Sequence, residues 1–308
     1  MIKELEYIAK QGVDAKLLEA VEHFRCEYEV SEEVAARIEK PAIEFLGKDV
    51  LEMTISAILQ GENILLAGAK ATGKNVLAEN LAYIFNRPNY NVSFHVNIDS
   101  SSLIGTDTFI DNEVKLRKGP VYNCALYGGF GVFDEVNMAK NDAVSVLHSV
   151  LDYRRIIDVP GYDKIKLHPA TRFIGTMNYG YVGTRELNEA LVSRFMVVDM
   201  PAVTEETIMI LLKKAYATAN EAQLSQFAGL FMDLQEKAEN GEITTKPLDL
   251  RGMIAAIGTI KCGLSPALAI KMGIVNKSFD AFEREIVEDI VMTRIPDTLT
   301  PGDVFNGR

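Results

Sequence analysis

The sequence predicts an α/β fold: a parallel β-sheet sandwiched by helices, followed by an all-α part. Two patterns predict it. From Glu62 to about Met200, short apolar runs alternate with segments of helical spacing. That alternation is the signature of a parallel sheet covered on both faces. After Pro201 the strand-length runs stop, and every periodic segment has the helical period.

The elements follow in order. Residues 1–40 read as helices: "KELEYIAKQG" and "AKLLEAVEHF" carry apolar residues at helical spacing, and "SEEVAARIEK" opens on Ser31, a good N-cap. Pro41 interrupts, and "AIEFLGKDVLEMTISAILQG" reads as a short loop and a helix. Then "NILLAG" is a strand, "NVLAENLAYIF" a helix and "YNVSFHVNI" a strand. "GGFGVFDEV" holds a buried strand that ends in two acids. "NDAVSVLHSVLDY" is a helix, "RFIGTMN" a strand, "ELNEALVSRF" a helix and "MVVDM" a strand. Four helical segments follow, from "TEETIMILLKKAYATAN" to "SPALAIKMGIVNKSF", and Pro301 and Gly302 open a tail expected to fray. The expected organisation is a helical segment at 1–40, an α/β core at 41–203, a helical domain at 204–295 and a tail at 296–308.

Composition narrows the class. A chain of 308 residues, 48% hydrophobic and 24% charged, can bury a full core. Its net charge of -11 makes it a poor default partner for a nucleic acid backbone. Cys26, Cys124 and Cys262 are odd in number and widely spaced, which suggests free thiols in a reducing compartment. His23, His95, His148 and His168 show no metal-ligand spacing. No run approaches the roughly 20 apolar residues of a membrane helix, and the amino terminus lacks a signal-peptide pattern, so a cytoplasmic protein is expected.

The chemistry centres on "GAKATGKNV", Gly68 to Val76: Gly68, Ala69, Lys70, Ala71, Thr72, Gly73, Lys74, Asn75 and Val76. It fits G-x-x-x-x-G-K between a strand and a helix, the context that gives this motif its meaning. The glycines let backbone N–H groups turn towards phosphate, and the helix N-terminus adds about half a positive charge. Lys74 would reach the β- and γ-phosphates of ATP. The next position normally carries a hydroxyl for Mg²⁺ but holds Asn75. Its amide carbonyl is also a hard oxygen donor, one heavy atom further out, and Mg²⁺ accepts such donors. Thr72 lies before Gly73 and does not replace that hydroxyl.

Asp134 and Glu135 emerge from the carboxyl end of an apolar strand, where ligands of open α/β sheets bind. Asp134 can hold the hydration shell of Mg²⁺, and Glu135 can polarise an attacking water. Asn178 ends another strand and can orient water, or simply form a turn. Arg194 closes a helix and can meet developing phosphate charge, or merely favour a helix C-terminus. Arg251 sits in the first turn of a helix behind Asp249, where a cation opposes the helix dipole and an anion contact would explain it.

In this order, these parts resemble the AAA+ ATPases, and more narrowly their MoxR-type, dynein-related branch. "LYGGFGVFDEVNMAKNDAVSVLHSVLDYRRI" and "LHPATRFIGTMNYGYVGTRELNEALVSRFMVVDM" are the most similar stretches, within a resemblance covering about residues 41–275. The resemblance implies a P-loop NTPase core with an α-helical lid. It implies a Walker A loop at Gly68–Asn75, Walker B acids at Asp134 and Glu135, sensor 1 at Asn178 and sensor 2 at Arg251. Arg194 would be an arginine finger acting in trans on a neighbour's ATP, within a homo-oligomeric ring, often a hexamer. ATP and Mg²⁺ are the implied cofactors.

Two inserts match as well. "GTDTFIDNEVKLRKGP" reads as a hairpin turning at Asp111 and Asn112, with Lys115, Arg117 and Lys118 giving it positive charge; "RRIIDVPGYDKIKLHP" is a second, turning at Pro160 and Gly161. In the resembling branch such hairpins lie in or near the ring's pore, although a solvated basic loop explains the same residues.

The leading expectation is an ATP-hydrolysing, chaperone-like remodeller of a protein client, in a branch whose partners often carry a von Willebrand A domain. A nucleotide-dependent scaffold with weak turnover is the first alternative. The ATPase part of a restriction or phage system is the second, and the acidic charge argues against it. A small-molecule kinase would need a substrate pocket over the phosphates.

Overall fold

The computed structural model describes residues 2–95, 97–110, 112–139, 141–158, 162, 164–179 and 187–305. The turn residues Asp111, Pro160 and Gly161 of the two expected hairpins lie outside them. The chain divides into two compact units, Met1–Pro201 and Ala202–Arg308.

The first unit is built on a five-stranded sheet. Its strands are β1 (Ile64–Gly68), β2 (Asn89–Ser93), β5 (Phe130–Asp134), β8 (Arg172–Asn178) and β9 (Met196–Asp199), in the order β2-β5-β8-β1-β9. Every pairing is parallel. The central strands β1 and β5 are apolar and buried almost throughout, because helices cover both faces. The edge strands β2 and β9 expose alternate residues or more; β2 is polar at its exposed positions, whereas β9 leaves the apolar Met196 and Val197 exposed.

Two antiparallel hairpins stand outside the sheet: β3 (Gly105–Ile110) with β4 (Glu113–Lys118), and β6 (Ile156–Ile157) with β7 (Ile165–Lys166). Tyr162 Oη donates to Asp107 Oδ1 at 2.7 Å, which ties the second hairpin to the first.

Several segments differ from expectation. "SEEVAARIEK" forms one helical turn, Glu32–Ala35, and "ELNEALVSRF" one turn, Glu189–Val192. A helix not anticipated runs from Pro120 to Tyr127, started by Pro120 in its first turn and stopped by Gly128 in the left-handed conformation. Residues 2–40 pack into the first unit itself: Leu5, Ile8, Leu18, Val21 and Phe24 share one core with Leu66, Leu81 and Phe85.

The second unit is helical. Its longer helices are Glu205–Ala215, Glu221–Glu239, Leu250–Lys261, Pro266–Gly273 and Ala281–Arg294. The expected frayed tail is corrected in part. Thr300 and Asp303 form a capping box that starts the short helix Pro301–Val304. Val304 is buried, and its carbonyl accepts from Asn220 N at 2.8 Å.

Candidate functional site: a phosphate loop at the carboxyl end of the sheet

The site is assembled by strand register. Gly68, the last residue of β1, pairs with Asn178, the last of β8. Phe133 pairs with Gly175, which sets Asp134 level with Thr176. Three strands therefore deliver Gly68, Asp134, Thr176 and Asn178 to one edge, where the phosphate loop begins.

The loop leaves β1 through Gly68. A Cβ there would lie 3.0 Å from both Cβ and O of Met200, so the returning chain requires glycine. Gly73 takes φ +85° as N-cap of the helix Lys74–Ile84, a left-handed conformation that favours glycine. Residues 43–47, ahead of the helix Lys48–Leu59 that precedes β1, are pinned beside the loop. Asn80 accepts from Phe45 N and from Tyr7 Oη, and donates to Ile43 O; Gln11 donates to Phe45 O and accepts from Gly47 N. Neither Asn80 nor Gln11 stands out in the sequence.

Lys74 is buried, and its ammonium fills the loop. Nζ donates to Gly68 O at 3.0 Å, Ala69 O at 2.6 Å and Thr72 Oγ1 at 3.2 Å. Thr72 thus serves as a partner of the lysine. Burial pulls the Lys74 ammonium down to about 8, against a smaller upward pull from the Asp134 carboxylate. Because its pKa is depressed on folding, the penalty on the charged form is full below about pH 8 and fades as pH rises towards the unfolded value.

A phosphate bound at Nζ would reverse that shift. Nucleotide binding at pH 8 is therefore expected to take up about half a proton per site, shrinking towards zero near about pH 7. Calorimetry in buffers of different ionisation enthalpy reads the uptake. Lys74→Arg, which cannot titrate, should show none.

Asp134 and Glu135 are placed by a residue the motif reading missed. Thr176 Oγ1 donates to Asp134 Oδ1 at 2.6 Å and accepts from Glu135 N at 3.2 Å. Glu135 itself has φ +53°, rare for a residue with a side chain and worth about 1–3 kcal/mol of backbone strain. It is exposed at the exit of β5.

The residues present fit Mg²⁺. Thr176 occupies one oxygen of Asp134 and leaves the other for metal-bound water, and Asn75 is exposed on the first helical turn. Among the described residues there is no separate cluster of His, Cys, Asp or Glu able to hold a metal. Asn75→Thr is expected to keep or raise turnover at limiting Mg²⁺, measured by phosphate release. A large loss would show that the amide itself is required.

Arg194 is elsewhere. It follows the turn Glu189–Val192 and precedes Met196, which pairs with Ile64 at the amino end of β1. Its Nη1 donates to Ala190 O, its Nη2 lies 3.9 Å from Asp152 Oδ2, and its buried Nε has no partner. It lines a surface cavity of about 790 Å³ with Asp152, Tyr153 and Met196. Arg251 belongs to the second unit. It is exposed in the first turn of Leu250–Lys261, whose cap Asp249 accepts from Gly252 N at 3.0 Å.

Comparison with known proteins identifies the family. The family model described as "AAA domain (dynein-related subfamily)" matches residues 63–195. The uncharacterized protein YojN of Bacillus subtilis (strain 168) is 33% identical over 273 residues, 87% of this chain and 89% of that protein. An uncharacterized protein of Staphylococcus aureus is 32% identical over 236 residues, 75% of this chain and 89% of that protein. Among solved structures, a RuvB mutant from Thermotoga maritima is 18% identical and covers 81% of this chain and 71% of that one, with a TM-score of 0.48. The chain belongs to the AAA ATPases, in their dynein-related subfamily.

Proposed function

We propose that this chain binds and hydrolyses ATP with Mg²⁺, assembles with copies of itself as a ring, and remodels a protein client in a chaperone-like way. The observation that supports this most is the division of the site between the two ends of the sheet. Lys74, Asp134, Glu135 and Asn178 gather at the carboxyl ends of the strands, and Arg194 stands by the amino end of β1. The five residues of β1 separate them by roughly 13 Å. An arginine so placed serves a neighbour's nucleotide better than its own.

In this reading Lys74 and the N–H groups of the loop hold the phosphates. Glu135 takes a proton from the attacking water, and Asn178 orients that water. Arg194 of the adjacent copy meets charge developing on the γ-phosphate. The sensor role that the resemblance gives Arg251 belongs to the same proposal. Bound Mg²⁺, held by Asp134 and Asn75, would supply charge neutralisation at the phosphate oxygens.

The client-facing element is the hairpin β3–β4. Phe109 and Val114 are paired across it and are 71% and 61% exposed, and Arg117 and Lys118 are exposed on β4. An apolar tip on a basic stem suits contact with an unfolded or acidic protein segment. The MoxR-type assignment, the hexameric number, a partner with a von Willebrand A domain and a cytoplasmic site of action come from the resemblance and belong to this proposal. Among the described residues no helix is long and apolar enough to cross a membrane.

Protein concentration tests the trans arrangement. ATP turnover per subunit should rise with concentration in step with ring mass measured by light scattering. Turnover per subunit that is independent of concentration would contradict it. Asn75 also favours a second reading, an ATP-dependent scaffold with little turnover, which predicts assembly without phosphate release. Stimulation of turnover by DNA or RNA would favour a nucleic-acid motor instead.

A further inference from the structure

The carboxyl edge of the sheet carries one more side-chain bond, on the side of β8 away from Asp134. Tyr179, the residue after Asn178, donates its Oη to Oδ1 of Asp199, the last residue of β9. Strand β1 lies between β8 and β9, so the two partners stand on either side of it. The register places both beside the loop: Asn178 pairs with Gly68, and Asp199 with Ala67. Two interstrand spacings, roughly 10 Å, separate β8 from β9, a gap that the long tyrosine side chain and the carboxylate close together. The bond thus crosses the exit of β1, where Gly68 opens the phosphate loop.

The far end of the bond is itself held. Met200 N donates to Ala67 O at 2.7 Å, and a Cβ on Gly68 would lie 3.0 Å from Met200 Cβ. Asp199 is therefore fixed against the first residues of the loop. On the other side of β8, Thr176 Oγ1 donates to Asp134 Oδ1. Asn178 sits between these two ties, which fix the backbone from which its amide projects. The bond to Asp199 raises the Tyr179 phenol above its ordinary value, so the donor keeps its proton at neutral pH. Both side chains are exposed, so water competes for the bond and its loss leaves the core packing intact.

We propose that Tyr179 and Asp199 are positioning residues: their bond is a strap across β1 that fixes Asn178 relative to the phosphate loop, so that its amide meets the attacking water and the γ-phosphate. The strap rests on the reading of Asn178 as the residue that orients that water; neither Tyr179 nor Asp199 touches the nucleotide. Misplacing by about 1 Å a group that meets the transition state costs up to about 10²-fold in rate. Phosphates held by Lys74 and the loop N–H groups should bind as before.

Steady-state phosphate release by the full chain, with ADP affinity read by calorimetry, tests the strap. Tyr179→Phe keeps the ring and loses the donor. It is expected to lower kcat by roughly 10–10²-fold, with KM for ATP and affinity for ADP within about twofold of the wild type. Its unfolding midpoint should not move. Asp199→Ala should behave alike, whereas Asp199→Asn, whose amide oxygen still accepts, should keep most of the rate. The double variant Tyr179→Phe with Asp199→Ala should be no slower than either single one, because all three lose the same bond. An unchanged kcat in Tyr179→Phe, or losses that multiply in the double variant, would overturn the strap while leaving the hydrolysis reading standing. So would a loss of ADP affinity equal to the loss of kcat, which marks a merely structural bond. A wild type that binds ATP without turnover would put the hydrolysis reading itself at fault, and the strap falls with it.

Discussion

Glu135→Gln is expected to bind ATP as the wild type does and to lower steady-state phosphate release by about 10²–10⁴-fold, the usual contribution of a positioned general base. The expectation rests on how this residue is held. The backbone at Glu135 is strained, with φ +53°, and its N–H is fixed on Thr176 Oγ1 at 3.2 Å, so the carboxylate leaves the end of β5 in a set direction. Gln has the same size and keeps the turn, but cannot accept the proton. Binding should therefore survive, because Lys74 and the loop N–H groups are untouched. A variant that turns over at the wild-type rate would remove Glu135 from the mechanism and leave it a solvated acid at a strand end.

Arg194→Ala is expected to cost more, roughly 10³–10⁵ in turnover, the range known for a supplied arginine in phosphoryl transfer. The register places Arg194 next to the amino end of β1 and the phosphate loop at its carboxyl end. The loss should be repairable by mixing. Arg194→Ala has an intact phosphate site, and Glu135→Gln an intact arginine. Where one meets the other in a mixed ring, a complete site forms. Phosphate release from the mixture should exceed that of either variant alone. A mixture no better than its parts would place the arginine's action within one subunit, or make the residue purely structural. Its contact with Asp152, at 3.9 Å, is weak enough to exchange for a phosphate.

Much of this site is written in the sequence. Gly68, Gly73 and Lys74 announce the loop, and the buried strands β1 and β5 are legible because parallel central strands are apolar on both faces. Asp134, Glu135 and Asn178 follow from strands that end in polar residues. Thr176 does not. Threonine is an ordinary strand former, and it meets Asp134 only because β5 and β8 pair in one register, which no single sequence states. The amphipathic pattern of residues 2–27 is visible, but the partner of its apolar face is not. The helix Pro120–Tyr127 had its own signals, Pro120 at the start and Gly128 at the end, obscured by a glycine-rich neighbourhood. The buried Arg87 has no sequence signal at all, since arginine is rarely fully buried.

The central claim is that this loop, with Asn75 in place of a hydroxyl, still supports hydrolysis. Steady-state phosphate release at saturating ATP and Mg²⁺, against a protein-free blank, tests it most directly. The account predicts multiple turnovers per subunit, absent from the blank, that vanish on chelation of the metal. Tight ATP binding with release no faster than the blank would contradict it, and would make the chain a nucleotide-held scaffold.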